Sequence, residues 1–135
     1  MNDSVKALTV FDGKLIAGGG FTTAGGAAAN NIAAWDGSSW SPLGSGMDGA
    51  VEALVVYDGK LIAGGSFTSA GGVVADYISS WDGSSWSPLG SGMEEGTYLF
   101  VFALTVYDGK LIAGGYFTTA GGVEASQIAS WDGSS

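Results

Sequence analysis

The sequence predicts an all-β fold made of repeated four-stranded antiparallel meanders, and three observations lead to this prediction. The segment LIAGGGFTTAGG at residues 15–26 returns nearly unchanged at residues 61–72 and 111–122, so the chain contains three copies of one unit. Turn signals divide each copy into runs of strand length, and no run shows the apolar spacing of an amphipathic helix. The first two runs are apolar on both faces, as in a sheet that lies between two other sheets.

The first two runs of a unit are predicted to form a hairpin. In the first copy they cover residues 5–11 (VKALTVF) and 14–19 (KLIAGG). Asp12-Gly13 between them is the signal of a two-residue hairpin turn, in which glycine takes a positive φ. We therefore expect these runs to pair as adjacent antiparallel strands in the interior of the fold.

The third and fourth runs complete the unit. A loop, GFTTAGGAAAN, leads to the third run at residues 31–35, and the turn DGSS leads to the fourth run at residues 40–43. Pro42, which is repeated as Pro88, cannot donate a hydrogen bond to a ladder, so the fourth run belongs at the edge of the sheet. Four such strands in sequential order, stacked face to face with their copies, are typical of a β-propeller blade.

The repeats also predict where the units begin and end. Trp35, Trp81 and Trp131 share the context WDGSS, and four extra residues enter the third unit near residues 94–100. We expect blades at residues 1–46, 47–92 and 93–135, which together form one half-propeller. The third lacks its outermost strand, because no WSPL follows its WDGSS. This pattern predicts a segment of a longer array or an engineered fragment.

The repeated motif resembles the kelch repeat of β-propellers. Gly18-Gly19, Trp35-Asp36 and Trp40 stand where that repeat has its glycine doublet, its aromatic-aspartate pair and its downstream tryptophan. The second unit matches at the same places, while the third has the doublet and the Trp-Asp pair without the second tryptophan. The resemblance implies a propeller fold. Related copper oxidases need His and Cys, which this chain lacks, so their activity is not implied.

Composition excludes several classes of function. The chain has 13 acidic residues, four lysines and no arginine, with a formal charge of −9, which argues against binding to nucleic acid. It has no His and no Cys, the usual general base and soft metal ligands. No apolar run approaches a membrane span, and no signal peptide is evident. We therefore expect no enzyme activity, no cofactor, no metal, no nucleic acid and no membrane partner, and the compartment stays open.

Acidic and aromatic residues were the remaining candidates for a site. Asp48, Glu94, Glu95 and Glu124 fall on connections at one end of the blades, but without the spacing of a calcium loop. They are predicted to be solvated surface. Trp35, Trp81 and Trp131 end the third run of each unit and are predicted to pack between blades, where large aromatic side chains bury area. Trp40 and Trp86 open the outer strand and are predicted to be partly exposed.

A candidate ligand face follows from the differences between units. The copies differ most at Lys6/Glu52/Phe102, Gly20/Ser66/Tyr116 and Asn31/Tyr77/Gln127, and in the insertion. Loops carry function more often than the strands that support them. The candidate ligand face therefore comprises Tyr77, Glu94, Glu95, Tyr98 and Tyr116.

The number of blades predicts self-association. Closed propellers have four to eight blades, so three blades leave the apolar faces of the first and last uncovered. Two chains arranged head to tail would close a six-bladed homodimer about a two-fold axis. We expect a non-catalytic scaffold whose partner is a second copy of itself. The alternative is a lectin-like propeller that binds a glycan or protein through the candidate ligand face. This face is formed by the loops between the second and third runs and by the connections between units.

Overall fold

The chain is all-β, as the sequence predicts. The computed structural model describes residues 1–90, 93–94, 100–116, 119–120, 123–124 and 127–133. Every regular element in these residues is a β-strand. In the same part of the chain, no helix is long and apolar enough to cross a membrane.

The first unit folds as the predicted meander. Its strands are β1 (Val5–Phe11), β2 (Lys14–Gly19), β3 (Thr23–Ala24), β4 (Ala27–Ala28), β5 (Ile32–Trp35) and β6 (Trp40–Pro42). The order across the sheet is β1-β2-β5-β6, so the proline-bearing strand lies at the edge, as expected. Asp12 and Gly13 both have positive φ, at 53° and 71°, which is the geometry of the predicted hairpin turn.

The second unit repeats the first strand for strand. Its sheet has the order β12-β11-β8-β7, in which the inner hairpin, the third strand and the edge strand correspond to those of the first sheet. The strands are β7 (Val51–Tyr57), β8 (Lys60–Gly65), β9 (Ser69–Ala70), β10 (Val73–Val74), β11 (Ile78–Trp81) and β12 (Trp86–Pro88).

The third unit has a three-stranded sheet in the part of the chain that the structure describes. Its order is β14-β15-β18, and a second small sheet has the order β13-β16-β17. The unit boundaries at residues 46/47 and 92/93 stay predictions. The strands are β13 (Met93–Glu94), β14 (Phe100–Tyr107), β15 (Lys110–Tyr116), β16 (Thr119–Ala120), β17 (Val123–Glu124) and β18 (Ile128–Trp131).

The loop between the second and third runs contains a short hairpin that the sequence did not predict. Strands β3 and β4 pair as Thr23 with Ala28 and Ala24 with Ala27, and β9 with β10 repeats the pairing. Two residues per strand are too few to show an alternating pattern. The hairpin meets the connection that precedes the unit, because Met47 bridges to Ala70.

The three sheets are stacked face to face around a common inner edge. Strands β1, β7 and β14 lie next to one another along that edge. One core cluster joins Ile16 of the first sheet to Val51 and Leu61 of the second. Another joins Ile62 of the second sheet to Val101 of the third. The core therefore lies between the sheets, which is why the inner strands are apolar on both faces.

The first glycine of each Gly-Gly doublet receives a side chain from the following sheet. A Cβ atom at Gly18 would lie 2.5 Å from Cγ1 of Val51, and one at Gly64 would lie 2.5 Å from Cγ1 of Val101. We call this contact the valine-glycine contact. Each valine thus fills the space that a side chain would occupy, which lets adjacent sheets approach closely. The second glycine, Gly19 in the first unit, faces the carbonyl of Ser4 across a β-bulge.

We expect Gly64→Ala to lower the free energy of unfolding by about 2 kcal/mol, because the added methyl group overpacks the contact with Val101. Urea denaturation would measure the change. Gly20→Ala is the matched control, since its Cβ would lie no closer than 3.6 Å to Asp3. Equal losses in the two variants would contradict the role assigned to Gly64.

Candidate functional site

The junction between the first and second sheets shows how blades recognise one another. We call the side of a sheet that points to the preceding sheet its leading face, and the side that points to the following sheet its trailing face. On the leading face of the second sheet, Val51 and Leu61 are fully buried, and Leu54 packs against the same cluster. The junction to the third sheet repeats this arrangement, with Val101 and Leu111 buried.

The leading face of the first sheet carries the same residue types without a covering sheet. Val5 is 43% exposed, whereas its counterparts Val51 and Val101 are at 0%. Leu8 is 61% exposed, and Leu15 and Val10 are also exposed. An apolar patch forms here because these positions carry the residue types of the two junctions and no described sheet covers them.

The trailing face of the third sheet is the complementary open surface. Ile128 is 65% exposed, while its counterpart Ile78 is at 2%. Tyr107 is also exposed; its counterpart Tyr57 is half-buried and lies within hydrogen-bond distance of the carbonyls of Gly109 and Trp131. At Gly114 the nearest atom to an added Cβ is the Cβ of Ala103, at 3.7 Å. Gly114 is therefore equivalent to the glycines of the two valine-glycine contacts, but no valine of the described residues fills the space beside it.

An exposed aromatic cluster lies beside this open face. Phe100, Phe102 and Tyr116 have ring centroids 5.1 to 5.7 Å apart, and Phe102 and Tyr116 are both about half exposed. The first unit has Ser4, Lys6 and Gly20 at these positions, and the second has Ala50, Glu52 and Ser66. The cluster is thus specific to the third unit.

Two of the tryptophans that end the third strand of a unit lie near the preceding unit. Trp81 lies near Gly44 of the first unit, and Trp131 lies near Gly90 of the second. Trp35 is half-buried and packs on Trp40, with ring centroids 5.4 Å apart. The three tryptophans that end the third strands, Trp35, Trp81 and Trp131, are each half-buried.

Trp86 corrects an expectation from the sequence. The sequence predicts partial exposure, but Trp86 is only 5% exposed. Its indole Nε1 donates a hydrogen bond of 3.0 Å to the carbonyl of Leu43 in the first unit. Its ring also lies against Gly71, whose φ is +61°. The edge strand is polar, yet its tryptophan reaches the preceding sheet. Trp40 is half-buried, as predicted.

The five residues of the candidate ligand face do not form one described site. Tyr77 is half-buried and packs against the core cluster between the second and third sheets. Tyr116 is exposed and belongs to the aromatic cluster. Glu94 lies in strand β13, which pairs with β16, while Glu95 and Tyr98 lie outside the described residues. Phe100 and Phe102 also belong to the aromatic cluster, but they are not among the residues predicted for the candidate ligand face. The sequence signal for the cluster is that these two aromatic residues occur in the third unit alone.

Several acidic residues hold loops in place. The carboxylate of Asp48 accepts hydrogen bonds from the backbone amides of Thr68 and Ser69 at 2.8 and 3.0 Å. Asn2 accepts the equivalent bonds in the first unit, from Thr22 and Thr23. Partial burial acts to raise the pKa of Asp48, but the hydrogen bonds from Ser69 and Thr68 outweigh it and lower that pKa.

The Asp-Gly-Ser-Ser turns use their aspartates in a similar way. Asp82 accepts hydrogen bonds from the backbone amides of Ser84 and Ser85 at 2.8 and 2.9 Å, and Asp36 does the same with Ser38 and Ser39. The bonds from Ser84 and Ser85 lower the pKa of Asp82 to about 2. These carboxylates therefore serve the backbone of their own turns.

Little in the described residues indicates a small-molecule site. A pocket of about 210 Å³ lies between the second and third sheets and is lined by Tyr57, Ile62, Pro88 and Trp131, among others, which is smaller than most ligand pockets. Within the described part of the chain, no group of three or more His, Cys, Asp or Glu side chains is arranged to hold a metal ion. Among the described residues, the leading face of the first sheet and the trailing face of the third both expose large apolar side chains.

The comparison with protein families agrees with the propeller fold. A family model described as a domain of unknown function (DUF5122) beta-propeller matches residues 12–33, 58–79 and 108–129, just under half of the chain. Each match begins at the Asp-Gly turn of a unit and ends in its third strand. No curated protein matches the chain. The matched family supports the propeller, and the finer relationship to kelch repeats stays a prediction.

The stability of the fold should fall in acid through the turn aspartates. Asp82 has a lowered pKa in the folded chain, so folding favours its ionised form. Its contribution is present above about pH 4 and is lost as the pH falls toward 2. We expect Asp82→Asn, which keeps one oxygen acceptor, to flatten part of this decline in urea denaturation between pH 4 and pH 2. A pH profile identical to that of the wild type would contradict this role.

Proposed function

We propose that this chain of β-propeller blades is a non-catalytic scaffold that assembles with a second copy of itself into a closed six-bladed ring. In this ring the trailing face of each third sheet packs against the leading face of the other copy's first sheet. The absence of His and Cys from the sequence supports assembly without catalysis. The kelch-like positions of the glycine doublet and the tryptophans also fit a ring of blades.

The observation that carries the proposal is the contrast in burial between equivalent residues. Val51 and Val101 are at 0% exposure at the two junctions within the chain, whereas Val5 is at 43%. The three residues are identical in type, and each pairs with the second glycine of its unit's Gly-Gly doublet. Val5 is therefore the same side chain that makes the valine-glycine contact at both junctions within the chain.

The complementary half of that contact is Gly114. Gly18 and Gly64 are each filled by a valine of the following sheet, but a Cβ at Gly114 would meet only ordinary contacts, at 3.7 Å or more. A third valine-glycine contact, between Gly114 and Val5 of the second copy, would use surfaces that are already shaped for it. Burial of one such aliphatic side chain stabilises by about 1.5 to 3 kcal/mol.

The rotation between copies decides whether the assembly closes into a ring. The two open faces differ, so the contact between copies is head to tail, and such contacts close only when the rotation between copies divides a full turn. Two copies with three blades each give six blades, which lies within the range of known propellers. Each chain carries a formal charge of −9, and salt at physiological ionic strength screens the repulsion between the two copies.

We expect a particle of 27 kDa in solution, twice the 13.5 kDa mass of one chain. Light scattering on a sizing column across a concentration series would measure it. A chain that stays at 13.5 kDa at all concentrations would overturn the proposal. A larger closed particle would replace the six-bladed ring with a wider one.

We expect Gly114→Ala to weaken dimerisation at least tenfold while the monomer keeps its stability. The added methyl group has space in the single chain, but it would collide with Val5 of the second copy. Concentration-dependent light scattering would measure dimerisation, and urea denaturation of the dilute monomer would measure stability. Gly20→Ala, which lies away from the valine-glycine contact, is the control. If the wild-type chain dimerises and Gly114→Ala dimerises equally well, the trailing face of the third sheet is excluded as the contact surface.

The alternative is a lectin-like module that binds a glycan or protein. The exposed Tyr116 in the aromatic cluster is the observation that favours it, because sugars stack on exposed aromatic rings. A glycan-array signal that is lost in Tyr116→Ala would support this function.

A further inference from the structure

The inner strands carry one residue of each unit at an equivalent position, and the first two of these residues are in contact. Lys6, Glu52 and Phe102 occupy the same position in β1, β7 and β14. Nζ of Lys6 lies 2.8 Å from Oε1 of Glu52, which joins the first sheet to the second. We call these three residues the inner series.

The proposed ring extends the inner series across the junction between copies. The step from the first sheet to the second brings Lys6 and Glu52 into contact. The same step from the third sheet to the first sheet of the second copy brings Phe102 next to Lys6 of the second copy. The two partners are therefore an aromatic ring and an ammonium group.

We propose that Lys6 of the second copy packs on the aromatic cluster of Phe100, Phe102 and Tyr116 and selects this junction through a cation–π contact. The proposal rests on the six-bladed ring proposed above. The cluster occurs only in the third unit, which is the unit whose trailing face is open. Phe102 is 48% exposed, so part of its ring is accessible to an incoming ammonium.

The charge balance explains why an aromatic cluster suits this place. Lys6 already has a carboxylate partner in Glu52, and the chain carries nine net negative charges. A carboxylate at position 102 would form an ion pair with Lys6 of the second copy that salt weakens, and it would add to the net negative charge of each copy. An aromatic face attracts the ammonium through its quadrupole and adds no charge. It also covers apolar surface at the junction.

The contact makes the junction between copies chemically different from those within the chain. Inside the chain, Lys6 pairs with Glu52, an exposed ion pair that salt weakens. Between copies, Lys6 lies on aromatic rings, where apolar contact dominates. We therefore expect the dissociation constant of the dimer to depend only weakly on salt.

A double-mutant cycle on dimer dissociation tests the contact. We expect Phe102→Leu and Lys6→Met each to weaken the dimer by about three- to tenfold, and the double variant to be weaker than the wild type by much less than the product of the two factors. Lys14→Met replaces Lys6→Met in the control cycle, because Lys14 lies outside the inner series, and there the factors should multiply. Sedimentation of the full chain would measure each constant.

Two substitutions that introduce a charge at position 102 sharpen the test. Phe102→Lys should weaken the dimer more than thirtyfold, because two ammonium groups then meet. Phe102→Glu should keep the dimer at low salt and make its dissociation constant rise at least tenfold between 50 and 500 mM salt, since an ion pair replaces the aromatic contact. Circular dichroism would check that each dilute variant keeps its strands, because Phe102 is exposed and its replacement should leave the blade folded.

The outcomes separate this inference from the proposed ring. A wild-type chain that remains monomeric overturns the ring and the inference together. The inference is overturned, and the ring is retained, if the wild-type chain dimerises and the fold-changes of Phe102→Leu and Lys6→Met multiply in the double variant. The same holds if Phe102→Lys leaves the dissociation constant of the dimer unchanged. In these two cases the aromatic cluster faces open solvent, as the lectin-like alternative requires.

Discussion

The structure depends on one constraint: the inner strands of each sheet are apolar on both faces, so the sheets pack against one another. The valine-glycine contact shows how this is done, since Val51 and Val101 enter spaces that Gly18 and Gly64 leave free. Close approach brings the aliphatic side chains of adjacent sheets into a shared core, which is the main stabilising term in a fold of this kind. A single blade has no partner for either face, so the unit is stable only as part of a stack.

The same constraint explains why the two ends of the stack expose apolar side chains. Where a sheet has a neighbour, identical residues are buried. Where it has none, Val5, Leu8 and Ile128 are exposed. The three units provide an internal comparison, because their sequences are nearly the same and their surroundings differ. Differences in exposure between equivalent residues therefore report on whether a described sheet lies against them and not on residue type.

Polar residues mainly stabilise the connections. Asn2 and Asp48 hold equivalent loops through backbone amides, and Asp36 and Asp82 hold the turns that lead to the edge strands. The acidic character of the chain thus follows in part from repeated turn chemistry. The residues that differ between units, such as Lys6, Glu52 and Phe102, lie along the inner edge where blades meet. That position suits them to distinguish one junction from another.

The sequence by itself determined the class of fold, the order of strands in a meander and the edge position of Pro42 and Pro88. Periodicity, turn residues and the missing donor of proline are local properties, and they act in the same way in every copy. Local pattern did not reveal the short loop hairpins, the buried position of Trp86 or the aromatic cluster. Only the tertiary structure decided these, because they depend on which atoms of a neighbouring sheet lie nearby. The carbonyl of Leu43 that binds Trp86 is 43 residues away, and the valine that fills a glycine belongs to the next blade.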